Sequence, residues 1–161
     1  MKRTALFVLT LFAALSVFAK ERSYSIVSPS GKIETQVNVG SIVDYEIRYD
    51  GRTVLAPSAV SMTLSDGRIW GVDAKVSKVS RGSVDSMADS PLYRASKLRE
   101  RYNSLIVSFK GGWSLEFRVY DDAVAYRFAT ALDQPFRVRR EQATYNFPQD
   151  CTVTLPYVKK G

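Results

Sequence analysis

Apolar and polar residues alternate in short runs along most of this chain. A period of two places one side of an extended strand in a core and the other in water. Ile33, Thr35, Val37 and Val39 share one face against Glu34, Gln36 and Asn38, and Val43, Tyr45, Ile47 and Tyr49 alternate in the same way with Asp44, Glu46 and Arg48. Asp50-Gly51 separates the second run from Arg52 to Leu55. Asp-Gly between alternating segments predicts a tight hairpin, because glycine accepts the positive φ of primed turns. Val60, Met62 and Leu64 lead to a second Asp-Gly at Asp66-Gly67, after which Ala74, Val76 and Val79 predict a looser returning strand. Leu105, Val107 and Phe109 form a further face, Gly111-Gly112 turns, and Trp113, Leu115, Phe117 and Val119 supply the most apolar alternating face, the predicted sheet centre. Asp121-Asp122 turns the chain into Val124, Tyr126 and Phe128, and Phe136 and Val138 later alternate with Arg137, Arg139 and Arg140 as a strand with a solvated face would.

Short strands at intervals of roughly ten residues, with Gly and Asp between them, predict an all-β antiparallel β-sandwich or barrel and argue against an α/β arrangement. Helical periodicity is missing after the N-terminal leader. Its nearest candidate, Arg94 to Tyr102, offers only Ala95, Leu98 and Tyr102 for burial. The segment from Gly82 to Arg101 reads as a long polar connection. Because connections longer than about 12 to 15 residues tend to be functional or disordered, it is the first candidate for an interface.

The chain opens with Lys2 and Arg3, an apolar stretch from Ala5 to Phe18, and Val17-Phe18-Ala19. A basic start, a short apolar run and small residues at the cleavage positions predict a signal peptide over residues 1–19, with a mature β-sandwich over 20–161. An apolar run of about 15 residues falls short of the roughly 20 that span a bilayer, so export without a transmembrane anchor is expected, to the periplasm or the medium. No cysteine follows the run to carry a lipid.

Composition then removes chemistry. Histidine is absent and Cys151 is the sole cysteine, which excludes a Ser-His-Asp or Cys-His nucleophile, histidine- or thiolate-bound zinc, an iron–sulfur cluster and an intramolecular disulfide. Cys151 reads as a small core or edge residue. The formal charge of +7 includes Lys2 and Arg3, so the mature excess is +5. Arg94, Lys97, Arg99 and Arg101 are interrupted by Glu100, and Arg137, Arg139 and Arg140 alternate with apolar residues, so nucleic acid is not an expected partner. Asp121 and Asp122 point to opposite sides of an extended chain and cannot face one glycoside. Trp113 falls in register with Leu115 and Phe117 and reads as core, whereas Trp70, beside Gly71 just after a turn, is the candidate for an exposed sugar-stacking ring. Phosphate loops, calcium-binding loops and nucleophile elbows are absent, and no catalytic or metal-ligating residue is assigned.

Ser28-Pro29-Ser30-Gly31-Lys32-Ile33, Ser83-Val84-Asp85, Tyr102-Asn103-Ser104-Leu105, the run from Phe117 to Arg127, and Tyr145-Asn146-Phe147-Pro148-Gln149-Asp150 occur in this order. Together they resemble the N-terminal domain of glycoside hydrolase family 97 over nearly the whole mature chain. In that family the opening reads Ser-Pro-Asp-Gly-Lys and the later strand pair Phe-Arg-Val-Tyr-Asp-Asp-Gly-Val-Ala-Phe-Arg. Ala123 therefore replaces a usual glycine. Arg101 and Cys151 stand where histidines are common, and Ser86 to Arg94 keeps Pro91 and Tyr93 without the usual tryptophans.

The resemblance implies a galactose-mutarotase-like super-sandwich, placed ahead of a (β/α)8 barrel in exported bacterial α-glucosidases and α-galactosidases. It implies a non-catalytic domain that packs against the active-site side of that barrel, with Tyr93, Arg101, Tyr102 and Asn103 at the domain interface. It also implies α-linked carbohydrate as the parent enzyme's substrate, and calcium as a possible cofactor of the full-length enzyme but none held by this chain. No hydrolysis is expected from this chain alone. The alternative is a free-standing carbohydrate-binding or adhesion module using Trp70 and Tyr93. A self-sufficient mutarotase-like enzyme is disfavoured for want of a histidine or carboxylate acid/base pair.

Overall fold

A computed structural model describes residues 21–90 and 96–156. Among these the alternating runs become ten strands and no helix: β1 (Arg22–Val27), β2 (Ile33–Val39), β3 (Val43–Tyr49), β4 (Arg52–Leu64), β5 (Ile69–Trp70), β6 (Val76–Asp89), β7 (Lys97–Phe109), β8 (Trp113–Val119), β9 (Val124–Thr130) and β10 (Val138–Ala143). They form two antiparallel sheets. One has the order β1-β2-β3-β4-β10, with β5 also paired to β4, and the other the order β6-β7-β8-β9. The expected β-sandwich is therefore present. Among the described residues no helix is long and apolar enough to cross a membrane, and the expected leader lies outside them.

The facing sides of the sheets carry the predicted apolar stripes. Val37, Val43, Val60 and Leu64 of the first sheet and Leu105, Val107, Leu115, Phe117 and Val119 of the second are fully buried in one core. Interlocking rings join the layers, with Tyr45 5.4 Å from Phe117 and 5.6 Å from Tyr126 between centroids. At the far end Trp113 stacks on Trp70 at 5.5 Å and on Phe109 at 4.0 Å. Thr35 is buried on β2 with its hydroxyl unpaired.

The turns follow the residues that encode them. At Asp50-Gly51 both φ angles are positive, 46° and 76°, the conformation that a primed two-residue hairpin requires. Asp121-Asp122 closes β8 onto β9 through the Tyr120 N–H donating to the Ala123 carbonyl at 2.8 Å. Ala123 does not have positive φ, so alanine in place of the family glycine introduces no strain there.

Four expectations need correction. The stretch from Gly82 to Arg101 is a hairpin for most of its length, because polar and charged residues on both faces pair β6 with β7 in unbroken register from Lys78 to Asp89. Such pairing needs no apolar stripe, and Ser86 and Glu100 interrupt the apolar positions on the face that has most of them. The strand at Val76 and Val79 does not return beside β4. It crosses to the second sheet and pairs with β7. Trp70 is only 4% exposed, packed between Trp113 and Phe136. Cys151 lies exposed, outside the strands and the core.

Candidate functional site

The second sheet is uneven. β8 pairs with β7 only as far as Asn103, whereas β6 and β7 continue through six further pairs, from Val84 with Tyr102 to Asp89 with Lys97. At about 3.3 Å per residue this two-stranded ribbon reaches roughly 20 Å past the end of β8. Alternation sorts its side chains. Asp85, Met87 and Asp89 share one face with Lys97, Arg99 and Arg101, while Val84 and Ala88 share the other with Leu98 and Tyr102.

The charged face is tied back to the body. Arg99 donates to both carboxylate oxygens of Asp85 at 2.8 and 2.7 Å, and Arg101 bridges from Asp85 at 4.0 Å to Asp121 at 3.5 Å. Asp121 in turn accepts the Ser30 backbone N–H at 2.7 Å. Within the β1–β2 turn the Ser28 and Ser30 hydroxyls lie 3.1 Å apart, and the Ile33 N–H donates to Ser28 at 3.2 Å. Three segments far apart in sequence thus meet at one end of the sandwich. The Arg99 hydrogen bonds hold the Asp85 carboxyl below its ordinary range, and the Ser30 hydroxyl and backbone N–H do the same for Asp121, with Arg101 assisting both. These exposed pairs fix geometry more than they add stability.

The opposite, outer face has its own cluster. Tyr102 is 7% exposed beneath the Arg118 guanidinium, 4.8 Å from its ring centroid, and beside Tyr120. Glu116 accepts from Arg118 at 3.0 Å and from Arg127 at 2.6 Å. Burial alone would raise the Glu116 carboxyl, but the hydrogen bonds and charges of the two arginines outweigh it and hold the group below its usual value of 4.5. A carboxyl depressed in the folded state stabilises above its unfolded pKa, and that contribution disappears as pH falls through the folded one. Glu116→Gln should therefore lower stability in urea at pH 7 by about 1–2 kcal/mol, with the gap from the parent narrowing as pH falls below the ordinary carboxylate range. An equal gap at pH 7 and in acid would contradict this role.

The sequence-derived site residues meet different fates. Trp70 is core, so its ring offers no sugar platform, and Tyr93 lies outside the described residues. Arg101 and Tyr102 both reach the junction, from opposite faces. Asn103 donates to the Val27 carbonyl at 2.8 Å, and Arg81 to the Ser25 carbonyl at 3.2 Å, which caps the free edge of β1. A groove of about 440 Å³ lies here between β1 and the ribbon base, lined by Ser25, Val27, Arg81, Gly82, Ser83 and Ser104, with no aromatic ring in its wall. Asp85, Asp121 and Glu116 were missed as structural anchors. For Glu116 a signal existed, since counting outward from Asp121-Asp122 places it opposite Arg127. Among the described residues no three His, Cys, Asp or Glu side chains are grouped to hold a metal ion.

Comparison with known proteins matches residues 26–161 to the family described as glycosyl-hydrolase 97 N-terminal. The chain is 45% identical over its full 161 residues to a retaining alpha-galactosidase of Bacteroides thetaiotaomicron, and spans 24% of that protein's length. A glycoside hydrolase family 97 enzyme from a Pseudoalteromonas species, solved with acarbose, superposes with a TM-score of 0.68 at 21% identity, over 78% of this chain and 20% of that one. A beta-arabinopyranosidase superposes with a TM-score of 0.69 at 24% identity, over 78% and 21% of the respective chains.

Proposed function

The chain belongs to the glycosyl-hydrolase 97 N-terminal family, and we propose that it serves as the non-catalytic first domain of an exported α-glycosidase, packing against and shaping the active-site side of a (β/α)8 barrel. The proposed substrate of that parent enzyme is an α-linked carbohydrate. The observation that carries the reading is the β6–β7 ribbon, anchored at its base by Asp85, Arg101 and Asp121 and paired with no third strand beyond Asn103 among the described residues. Two-stranded ribbons are marginal in water, so one that persists past its sheet is suited to rest on another body. The described residues offer no cage for calcium, and no step of the reading depends on one. The alternative of a free carbohydrate-binding module loses one of its two motivating residues with the burial of Trp70, and the other, Tyr93, lies outside the described residues.

Limited trypsin digestion tests the docking. In the chain alone the first ribbon cuts should fall towards the tip, at Lys97 and at Arg94, which lies outside the described residues. Arg99 and Arg101, held by Asp85, should follow. In a chimera that continues this chain with the remainder of the Bacteroides thetaiotaomicron relative, the ribbon should be protected. Equal cleavage in both proteins would remove the ribbon as a docking element. The same reading places the mature N-terminus at Lys20. N-terminal sequencing of exported protein checks it, and a soluble product that retains Met1 would contradict it.

A further inference from the structure

The end of the sandwich opposite the ribbon gathers Arg22, Lys75 and Lys110, which pair with no carboxylate among the described residues. Asn103 at the ribbon base and Lys110 just past β7 are seven residues apart, which places the two ends roughly 23 Å from each other. The cations come from the start of β1, the crossover from β5 to β6, and the turn from β7 to β8. The crossover is fixed in place. Ile42 bridges to Val72, the Asp73 N–H donates to the Ser41 carbonyl at 2.9 Å, and the Lys110 N–H donates to the Lys75 carbonyl at 2.8 Å. This last bond extends the β6–β7 pairing one step past Val76 and Phe109, so two exposed lysines stand opposite each other at the end of the sheet. Like charges so placed repel, and nothing in the core requires them there.

Two clefts share this lysine pair. One, of about 460 Å³, runs from it to Arg22 and Gly40, and the other, of about 300 Å³, to Trp70, Gly111 and Trp113. Asp73 and Ala74 belong to both, so the clefts adjoin as one trough across the end of the sandwich. Acceptors are scarce in it. Asp73 is the one carboxylate lining the trough, while Glu21 rests against Gly40 and Asp66 is committed to Arg68 at 2.7 Å. The Trp113 ring is 6% exposed, and its N–H has no protein acceptor among the described residues. A Cβ added at Gly111, in the cleft wall, would lie 3.9 Å from that nitrogen. A recess that offers ammonium, guanidinium and indole donors selects an anion rich in acceptor oxygens.

We propose that this trough binds an acidic polysaccharide, a sugar chain whose carboxylate or sulfate groups sit between Lys75 and Lys110 while its neighbouring residues extend towards Arg22 on one side and the Trp113 edge on the other. The choice of a carbohydrate rests on the family reading above; the charge chemistry does not, and the ribbon takes no part in it. A sugar chain fits this end better than a lipid surface. The cations line a recess that a chain can follow, and the aliphatic residues nearby provide no wedge for a bilayer: Ile42, Ile69 and Val72 are 47%, 47% and 40% exposed, about as much as Val27 and Val54 elsewhere on the molecule. Asp73 limits the affinity. Its carboxylate beside the lysine pair repels an anion, and its positive φ of 47° is a conformation that asparagine also adopts.

Titration calorimetry at low ionic strength tests this with polygalacturonate for the carboxylate, dextran sulfate for the sulfate ester and unmodified dextran as the neutral chain. At least one acidic polymer should bind this chain and its full-length chimera, and dextran should bind neither. Binding should also change the tryptophan emission, because Trp70 and Trp113 are the chain's two tryptophans and both line the trough. Replacing Lys75 and Lys110 together by glutamine should weaken binding by about tenfold or more at unchanged urea stability. The same charge removed at the ribbon end, by Lys32→Gln with Arg52→Gln, should weaken it by less than about threefold, and Asp73→Asn should tighten it. Equal weakening by the two double variants would reduce the effect to net charge and overturn the proposal. Failure of both acidic polymers to bind, binding that leaves the tryptophan emission unchanged, or binding by the chain that is lost in the chimera would overturn it too. Capture by phosphatidylglycerol vesicles without polysaccharide binding would assign this end to a lipid surface instead. A chimera whose ribbon resists trypsin but whose trough binds neither polymer would uphold barrel docking and remove this inference alone.

Discussion

Phe117→Asp should abolish the cooperative unfolding transition. Phe117 is fully buried at the middle of β8, with its ring 5.4 Å from Tyr45 and 5.8 Å from Tyr126, so it holds the two layers together. An aspartate there either ionises unpaired or takes up a proton. Either outcome costs several kcal/mol, and the lost aromatic packing adds about 3 to 5 more. Against a total of about 5–15 kcal/mol for a domain of this size, little folded protein should remain. The neighbouring position supplies the control. Glu116 is a carboxylate on the same strand, yet it points to the outer face and meets Arg118 and Arg127. Glu116→Gln should therefore stay folded while Phe117→Asp does not, as read by tryptophan fluorescence from the buried Trp70 and Trp113 during urea titration. A cooperative transition in Phe117→Asp within about 1 kcal/mol of the parent would refute the assignment of β8 as the centre of the core.

That contrast also indicates what a sequence of this kind discloses. β2, β3 and β8 were legible because each has a dry face and a wet face, and burial imposes the alternation directly: β2 reads buried at Ile33, Thr35, Val37 and Val39 and half-exposed between them. The distal β6–β7 ribbon was not legible as strand, since neither face enters the core. What holds it is backbone pairing and contacts such as Asp85 with Arg99, invisible until the register is known. Trp70 was misplaced for a related reason. Its burial depends on two residues of β5 pairing with β4 and on a stack with Trp113, neither of which is encoded near position 70. The junction followed the same rule, for Ser30 and Asp121 are 91 residues apart. The segments that carried the family resemblance, Ser28 to Ile33, Ser83 to Asp85 and Phe117 to Arg127, nevertheless converge there, which gives them a common physical purpose: they close one end of the sandwich and brace the ribbon.

Gly71→Ala should be the most damaging single-methyl addition, and Gly31→Ala is its measure. Both glycines have positive φ, 95° and 76°, so alanine at either site costs about 1–2 kcal/mol in backbone strain. At Gly31 an added Cβ meets nothing within 4 Å, so the strain is the whole effect. At Gly71 the same atom runs into the Val60 carbonyl oxygen and comes within 3.1 Å of the Ser61 Cα, both on the backbone of β4, where no rotamer change gives relief. The Gly71 carbonyl also accepts the Val43 N–H at 2.8 Å, and Asp73 donates to Ser41 at 2.9 Å, so the crossover is bonded to the start of β3 while it packs against β4. Overpacking of this kind adds about 1–3 kcal/mol or more to the strain, for a total of roughly 3 kcal/mol or above. The damage should extend beyond stability, because this crossover carries the chain from β5 to β6 and sets where the ribbon begins. In urea unfolding, Gly31→Ala should lose about 1–2 kcal/mol with its trypsin pattern unchanged, and Gly71→Ala at least twice that, with faster cleavage along β6 and β7. Equal losses in the two variants would mean that the β5–β6 crossover does not press against β4 and that the second sheet is positioned by its core contacts alone.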